Sequence, residues 1–94
     1  ILWIQTDGVY SNKDNFEGMG NNQMLAADTL TGEIKRFLVG PKECEITGLT
    51  WSKDKKTMFL GVQHPGEKGN SHFPEGNGKT PRSTIIAIYK NKLG

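Results

Sequence analysis

The stretch from Glu43 to His64 constrains the fold more than any other part of the chain. Two apolar, β-rich runs, Glu45-Ile46-Thr47-Gly48-Leu49-Thr50-Trp51 and Met58-Phe59-Leu60-Gly61-Val62-Gln63, flank the polar segment Ser52-Lys53-Asp54-Lys55-Lys56-Thr57. Asp and Ser favour a turn between β-branched and aromatic runs, so the two runs pair most simply as an antiparallel hairpin. That pairing puts Glu45 and Gln63 at the same open end. Regular alternation places Thr47 and Trp51 on the face of Glu45, and Cys44 on the opposite face.

The remaining runs carry the same signature. Ile1-Leu2-Trp3-Ile4-Gln5 reads as a strand closed by Thr6-Asp7-Gly8. The segment from Val9 to Asn21 shows no period of 2 or 3.6 and reads as a long loop. Asn22 to Asp28 and Glu33 to Val39 read as a second hairpin across Thr29-Leu30-Thr31-Gly32. Met24-Leu25-Ala26-Ala27 has helical propensity, but turn residues follow at once, and one helical turn buries too little to persist. Gly- and Pro-rich sequence from Pro65 to Pro81 reads as a second long loop, Ser83 to Lys90 as a last strand apolar on both faces, and Asn91 to Gly94 as a frayed end.

A repeat emerges from this order. Leu2-Trp3-Ile4, a long loop and Met24-Leu25-Ala26-Ala27 mirror Met58-Phe59-Leu60, a long loop and Ile85-Ile86-Ala87-Ile88, at an offset of about 56 to 61 residues. Common propeller repeats run ~40–50 residues, and the long loops account for the difference. The expected fold is all-β, with six antiparallel strands forming parts of two blades of a β-propeller. With the strands of a blade lettered from the innermost, residues 1–40 supply b, c and d of one blade, and residues 41–94 supply a, b and c of the next. Successive strands alternate direction, so Asp7, Asn21, Asn22, Glu45, Gln63, His64 and Arg82 are expected at one rim.

Composition narrows the function. The formal charge of +2 is spread among acids, which leaves no electrostatic footprint for nucleic acid or a membrane surface. No apolar run approaches the ~20 residues of a membrane span. One cysteine rules out an internal disulfide. With 34% hydrophobic residues in 94, burial of roughly 65% of the unfolded surface is marginal for an isolated domain. Together with a chain that opens directly into strand-like sequence, this reads as a fragment of a longer protein, prone to self-associate.

Each rim residue has a plain reading and a functional one. Glu45, on an otherwise apolar strand, needs a partner: either Lys42 or Arg82 in a rim ion pair, or a hard cation such as Ca²⁺ or trivalent iron. Asp7 is either a turn former or a second ligand. His64 and His72 lack zinc spacing, so His64 reads as a loop histidine with a backbone partner or a rim contact for substrate, alongside Gln63 and Asn22. Arg82 offers a planar fork to an oxyanion or is an ordinary loop arginine. Cys44 reads as packed between blades. The Gly-Lys-Thr at residues 78–80 has Phe73 where a P-loop needs glycine, and Gly18-Met19-Gly20 lacks its third glycine, so neither marks a nucleotide site.

The blocks Leu2 to Gly8, Gly20 to Met24, Thr31 to Pro41, Cys44-Glu45-Ile46-Thr47-Gly48 and Gln63-His64-Pro65-Gly66-Glu67 occur in an order that resembles the C-terminal part of the PhoX-type bacterial phosphatases. The resemblance implies a β-propeller phosphomonoesterase exported to the periplasm by a twin-arginine signal, with calcium and iron in its central channel. It implies Glu45 as the first metal-ligand candidate and Asp7 as the second, and it leaves Cys44 outside the iron site. The catalytic residues stay unassigned, and the fragment alone is expected to bind no metal. A different class of function, a non-catalytic propeller segment binding calcium or a protein partner on the same rim, uses the same residues.

Overall fold

A computed structural model of the chain describes residues 1–8 and 20–90. Of the expected loop from Val9 to Asn21, residues 9–19 lie outside the described residues, as does the end from Asn91 to Gly94. The strands are β1 (Leu2–Gln5), β2 (Gln23–Ala27), β3 (Ile34–Val39), β4 (Glu45–Trp51), β5 (Thr57–Gln63) and β6 (Thr84–Tyr89). They form two antiparallel three-stranded sheets, ordered β1-β2-β3 and β4-β5-β6. Among the described residues no helix is long and apolar enough to cross a membrane.

Turn chemistry explains the far end of each hairpin. Asp28 Oδ1 accepts from the amides of Leu30 (2.8 Å) and Thr31 (3.3 Å), an Asx-type turn that reverses β2 into β3. In the second sheet Asp54 Oδ1 accepts from Ser52 Oγ (2.7 Å) and the Lys56 amide (3.0 Å). The resulting register pairs Glu45 with Gln63 and Val62 with Thr84, so the ends of β5 and the starts of β4 and β6 lie together.

One feature of β4 departs from regular alternation. Thr47 pairs with Gly61 and Leu49 with Leu60, which leaves Gly48 as a bulged residue, at φ 59°. Glycine takes this left-handed conformation without a Cβ penalty. Because cross-strand partners share a face, the bulge turns Leu49 and Trp51 to the side of Ile46. Trp51 is therefore not on the Glu45 face, where strict alternation places it. The Gly48 carbonyl, freed from the regular ladder position, accepts from Gln5 Nε2 of the other sheet at 2.7 Å.

The core lies between the sheets. Met24 of β2 packs in one buried cluster with Cys44, Ile46, Met58, Leu60 and Val62, and Trp3, Leu38, Leu49, Phe73, Ile86 and Ile88 close its margins. Phe73 anchors the loop after β5 to that core. Alternate residues of β6 point away from it, with Ile85 77% exposed and Tyr89 71% exposed. Gly40, between the sheets, is the point of closest approach: a Cβ there would stand 2.5 Å from Cys44 Sγ and 2.7 Å from Ile46 Cδ1. Both neighbours are buried and have nowhere to go. Gly40→Ala is expected to destabilise the fold by about 1–3 kcal/mol through overpacking, read as a lower denaturation midpoint. An unchanged midpoint would show that the sheets separate freely at this point.

Candidate functional site

The rim at the open end of both hairpins surrounds a cavity of about 410 Å³. Asp7, Gly8, Asn21 and Asn22 line it from the first sheet, and Glu43, Cys44, Glu45 and His64 from the second, with Glu67, Lys68 and Asn70 closing it from the loop after β5. Of the rim residues read from the sequence, the fold thus brings Asp7, Asn21, Asn22, Glu45 and His64 to one cavity. Gln63 stands opposite Glu45 in the ladder but is exposed and outside the lining. Arg82 is also outside it, because its guanidinium pairs with Glu75. That contact holds the Glu75 carboxyl below its ordinary range.

Asn21 and Asn22 build the junction between the sheets. Asn22 Oδ1 accepts from the Gly8 amide (2.9 Å) and Thr6 Oγ1 (3.0 Å), while its Nδ2 donates to the Gly8 carbonyl (2.7 Å) and the Cys44 carbonyl (3.0 Å). The side chain thus pairs with Gly8 as a peptide group would, and it joins the end of β1 to the start of β4. Asn21 Nδ2 donates to the Cys44 carbonyl at 3.2 Å and to that of Pro41. Asn21 is buried, and its Oδ1 has no hydrogen-bond partner among the described residues. Because Asn22 caps the turn at Gly8, Asp7 is not needed as the turn's acceptor. Its carboxylate makes no hydrogen bond or ion pair with a described residue, and Asp7 lines the cavity.

Glu45 is partnered by neither Lys42 nor Arg82: His64 Nε2 lies 3.1 Å from its Oε1. The other face of the imidazole meets Glu67 Oε2 at 3.3 Å and the Glu43 carbonyl at 3.0 Å. Acceptors on both ring nitrogens favour the doubly protonated ring. The Glu45 hydrogen bond, helped by the charges of Glu67 and Glu45 and opposed by partial burial, raises the His64 pKa above the usual histidine value.

Glu43, next to the anticipated Glu45, is a residue the sequence did not single out. Its carboxylate accepts from three donors of the following loop: the amides of Lys68 and Asn70 at 3.0 Å each, and Asn70 Nδ2 at 2.9 Å. The Asn70 amide foremost holds its pKa below the ordinary glutamate range. A second carboxylate beside Glu45 was the available signal, but its partners are loop amides that no spacing rule identifies. Cys44, 1% exposed, sits in the core as its alternation with Glu45 requires. Burial pushes its thiol up to about 11, against the Asn21 hydrogen bond, which leaves it a protonated packing residue rather than a nucleophile.

Among the described residues no group of three His, Cys, Asp or Glu side chains converges as a metal site. Glu45 Oε2 and the Asp7 carboxylate are nevertheless uncommitted to described protein donors. Hard carboxylate oxygens suit a hard cation, which takes six to eight oxygens. The donor set fits as a part of such a site and not as a whole one.

Two antiparallel up-and-down sheets packed face to face, with their loops gathered on a shared rim, are parts of two β-propeller blades. A family model described as alkaline phosphatase PhoX matches residues 1–66. The chain is also similar to PhoX of Pseudomonas fluorescens, solved in complex with vanadate, a transition state analogue. The two are 57% identical with a TM-score of 0.88, over 94% of this chain and 15% of that one. No curated protein sequence matches. The chain belongs to the PhoX alkaline phosphatase family and spans 15% of the length of the Pseudomonas protein.

Proposed function

We propose that this chain forms one sector of the active-site rim of a full-length phosphomonoesterase, with Asp7 and Glu45 directed to the catalytic channel. The observation that carries this reading is the 57% identity to a PhoX solved with vanadate, a transition state analogue. Carboxylates with oxygens uncommitted to described donors, Asp7 and Glu45 among them, line one cavity and support it further. The residue arrangement from 1–40 and 41–94, as strands b, c, d and then a, b, c, belongs to the same reading, as does export to the periplasm.

A calcium and iron cofactor is part of this proposal, with Asp7 and Glu45 as its ligands from this sector. When bound, such a cofactor supplies positive charge to neutralise phosphate oxygens. What the chain itself contributes is orientation: the asparagine junction leaves Asp7 free to face the cavity, and His64 holds one oxygen of Glu45 so that the other is presented. The test is hydrolysis of p-nitrophenyl phosphate by the full-length protein with and without chelator. Turnover abolished by chelation and restored by calcium with iron is the expected result. No turnover in the metal-loaded protein, or turnover indifferent to chelation, would overturn the proposal, and calcium bound without turnover would identify a binding propeller.

A further inference from the structure

We infer that Glu43 and His64 are positioning residues, which clasp the Pro65–Asn70 loop and the Glu45 carboxylate into one wall of the cavity. The inference rests on the phosphatase reading only for its kinetic consequence.

The observation behind it is that Glu43 acts through two different groups. Its carboxylate gathers three N–H donors from Lys68 and Asn70, and its backbone carbonyl accepts from His64 Nδ1 at 3.0 Å. Through the opposite ring nitrogen, His64 reaches Glu45 Oε1 at 3.1 Å, and its own amide donates to Ser83 Oγ at 2.9 Å. The loop is tied a second time to the turn that precedes β4, by the Gly66 amide, which donates to the Lys42 carbonyl at 3.0 Å. A continuous chain of hydrogen bonds thus runs from the loop through Glu43 and His64 to the cavity-facing carboxylate. Both residues also hold left-handed backbone, φ 70° at Glu43 and 39° at His64. Non-glycine residues stay there only where their surroundings over-determine them, and such strain gathers at functional sites. An ordinary loop tether needs the carboxylate contacts but gives no reason for a histidine bridging to Glu45.

Amide hydrogen exchange and steady-state kinetics of the full-length protein, with Glu43→Gln, His64→Asn and each combined with Glu45→Gln, test this. Asn tolerates the left-handed backbone at 64 but is too short to bridge. Glu43→Gln is expected to speed exchange by 10-fold or more in the segments covering residues 66–70 and 44–46 together. Faster exchange in the loop with residues 44–46 unchanged overturns the coupling, whatever the activity. In the kinetics, each single variant is expected to lower kcat about 10-fold with KM within about 2-fold, the scale seen when a residue that orients a metal ligand is changed. Neither is expected to add to the loss in the Glu45→Gln background, since all three act through one carboxylate. Additive losses, or kcat unchanged in both single variants, overturn the positioning role. If the unmutated protein has no phosphatase activity, the functional reading fails instead, and the exchange comparison still decides the clasp.

Discussion

Glu45→Gln in the full-length protein is expected to lower phosphomonoester turnover by 10-fold or more, the range seen when metal sites are perturbed. Glutamine keeps the length and shape of the side chain. Its amide oxygen still accepts from His64, whose Nε2 lies 3.1 Å from Glu45 Oε1. The amide nitrogen then takes the place of the cavity-facing oxygen, and an N–H donor neither ligates a cation nor carries negative charge. The fold itself should hold, because β4 keeps its ladder with β5 and the substituted group is at the strand's first residue. Kinetics and metal analysis of the purified variant check this, with circular dichroism as a control. Normal turnover at normal metal content would leave Glu45 as the ion-pair partner of His64 and nothing more.

The isolated 94-residue chain is expected to have no phosphatase activity and to self-associate. Activity fails first for lack of ligands: Asp7 and Glu45 supply two carboxylates where a hard cation takes six to eight oxygens, and the chain spans 15% of the length of the Pseudomonas PhoX. Association follows from what the two sheets leave uncovered. Ile85 and Tyr89 stand 77% and 71% exposed on the outer face of β6, and Ile34 and Phe37 are 57% and 45% exposed on β3. Apolar surface of this kind, beside strand edges that have no described neighbour in either sheet, favours pairing with another copy. Sedimentation of the purified chain gives the answer. A stable monomer at high micromolar concentration would overturn the association, and chelator-sensitive phosphate release by the chain alone would overturn the inactivity.

All six strands were legible in the sequence, each to within a residue or two at its ends. Period-2 apolar patterning and turn residues are local signals, and backbone hydrogen bonding turns them directly into hairpins. The facing of Glu45 and Gln63 follows from the same logic. Once the six-residue turn segment is recognised, antiparallel pairing leaves little freedom in which residues meet at the open end. The rim followed in turn, since direction alternates from strand to strand, and this alone gathers Asp7, Asn22, Glu45 and His64.

What required the tertiary structure is everything decided by side chains meeting across loops. Gly48 was visible, but only the packed sheets show that it bulges and turns Trp51 to the core side. Lys42 and Arg82 were the partners that charge alone offered Glu45, and neither is the one it has. The loop path delivered His64 to Glu45 and carried Arg82 to Glu75. Glu43 reaches backbone donors 25 and 27 residues away, and every residue but proline offers such a donor, so nothing in the spacing marks Lys68 and Asn70 as its partners. A strand's period is written residue by residue along the chain. The partner of a charge depends on where a long loop returns, and the core that anchors Phe73 and closes Gly40 against Cys44 decides that return.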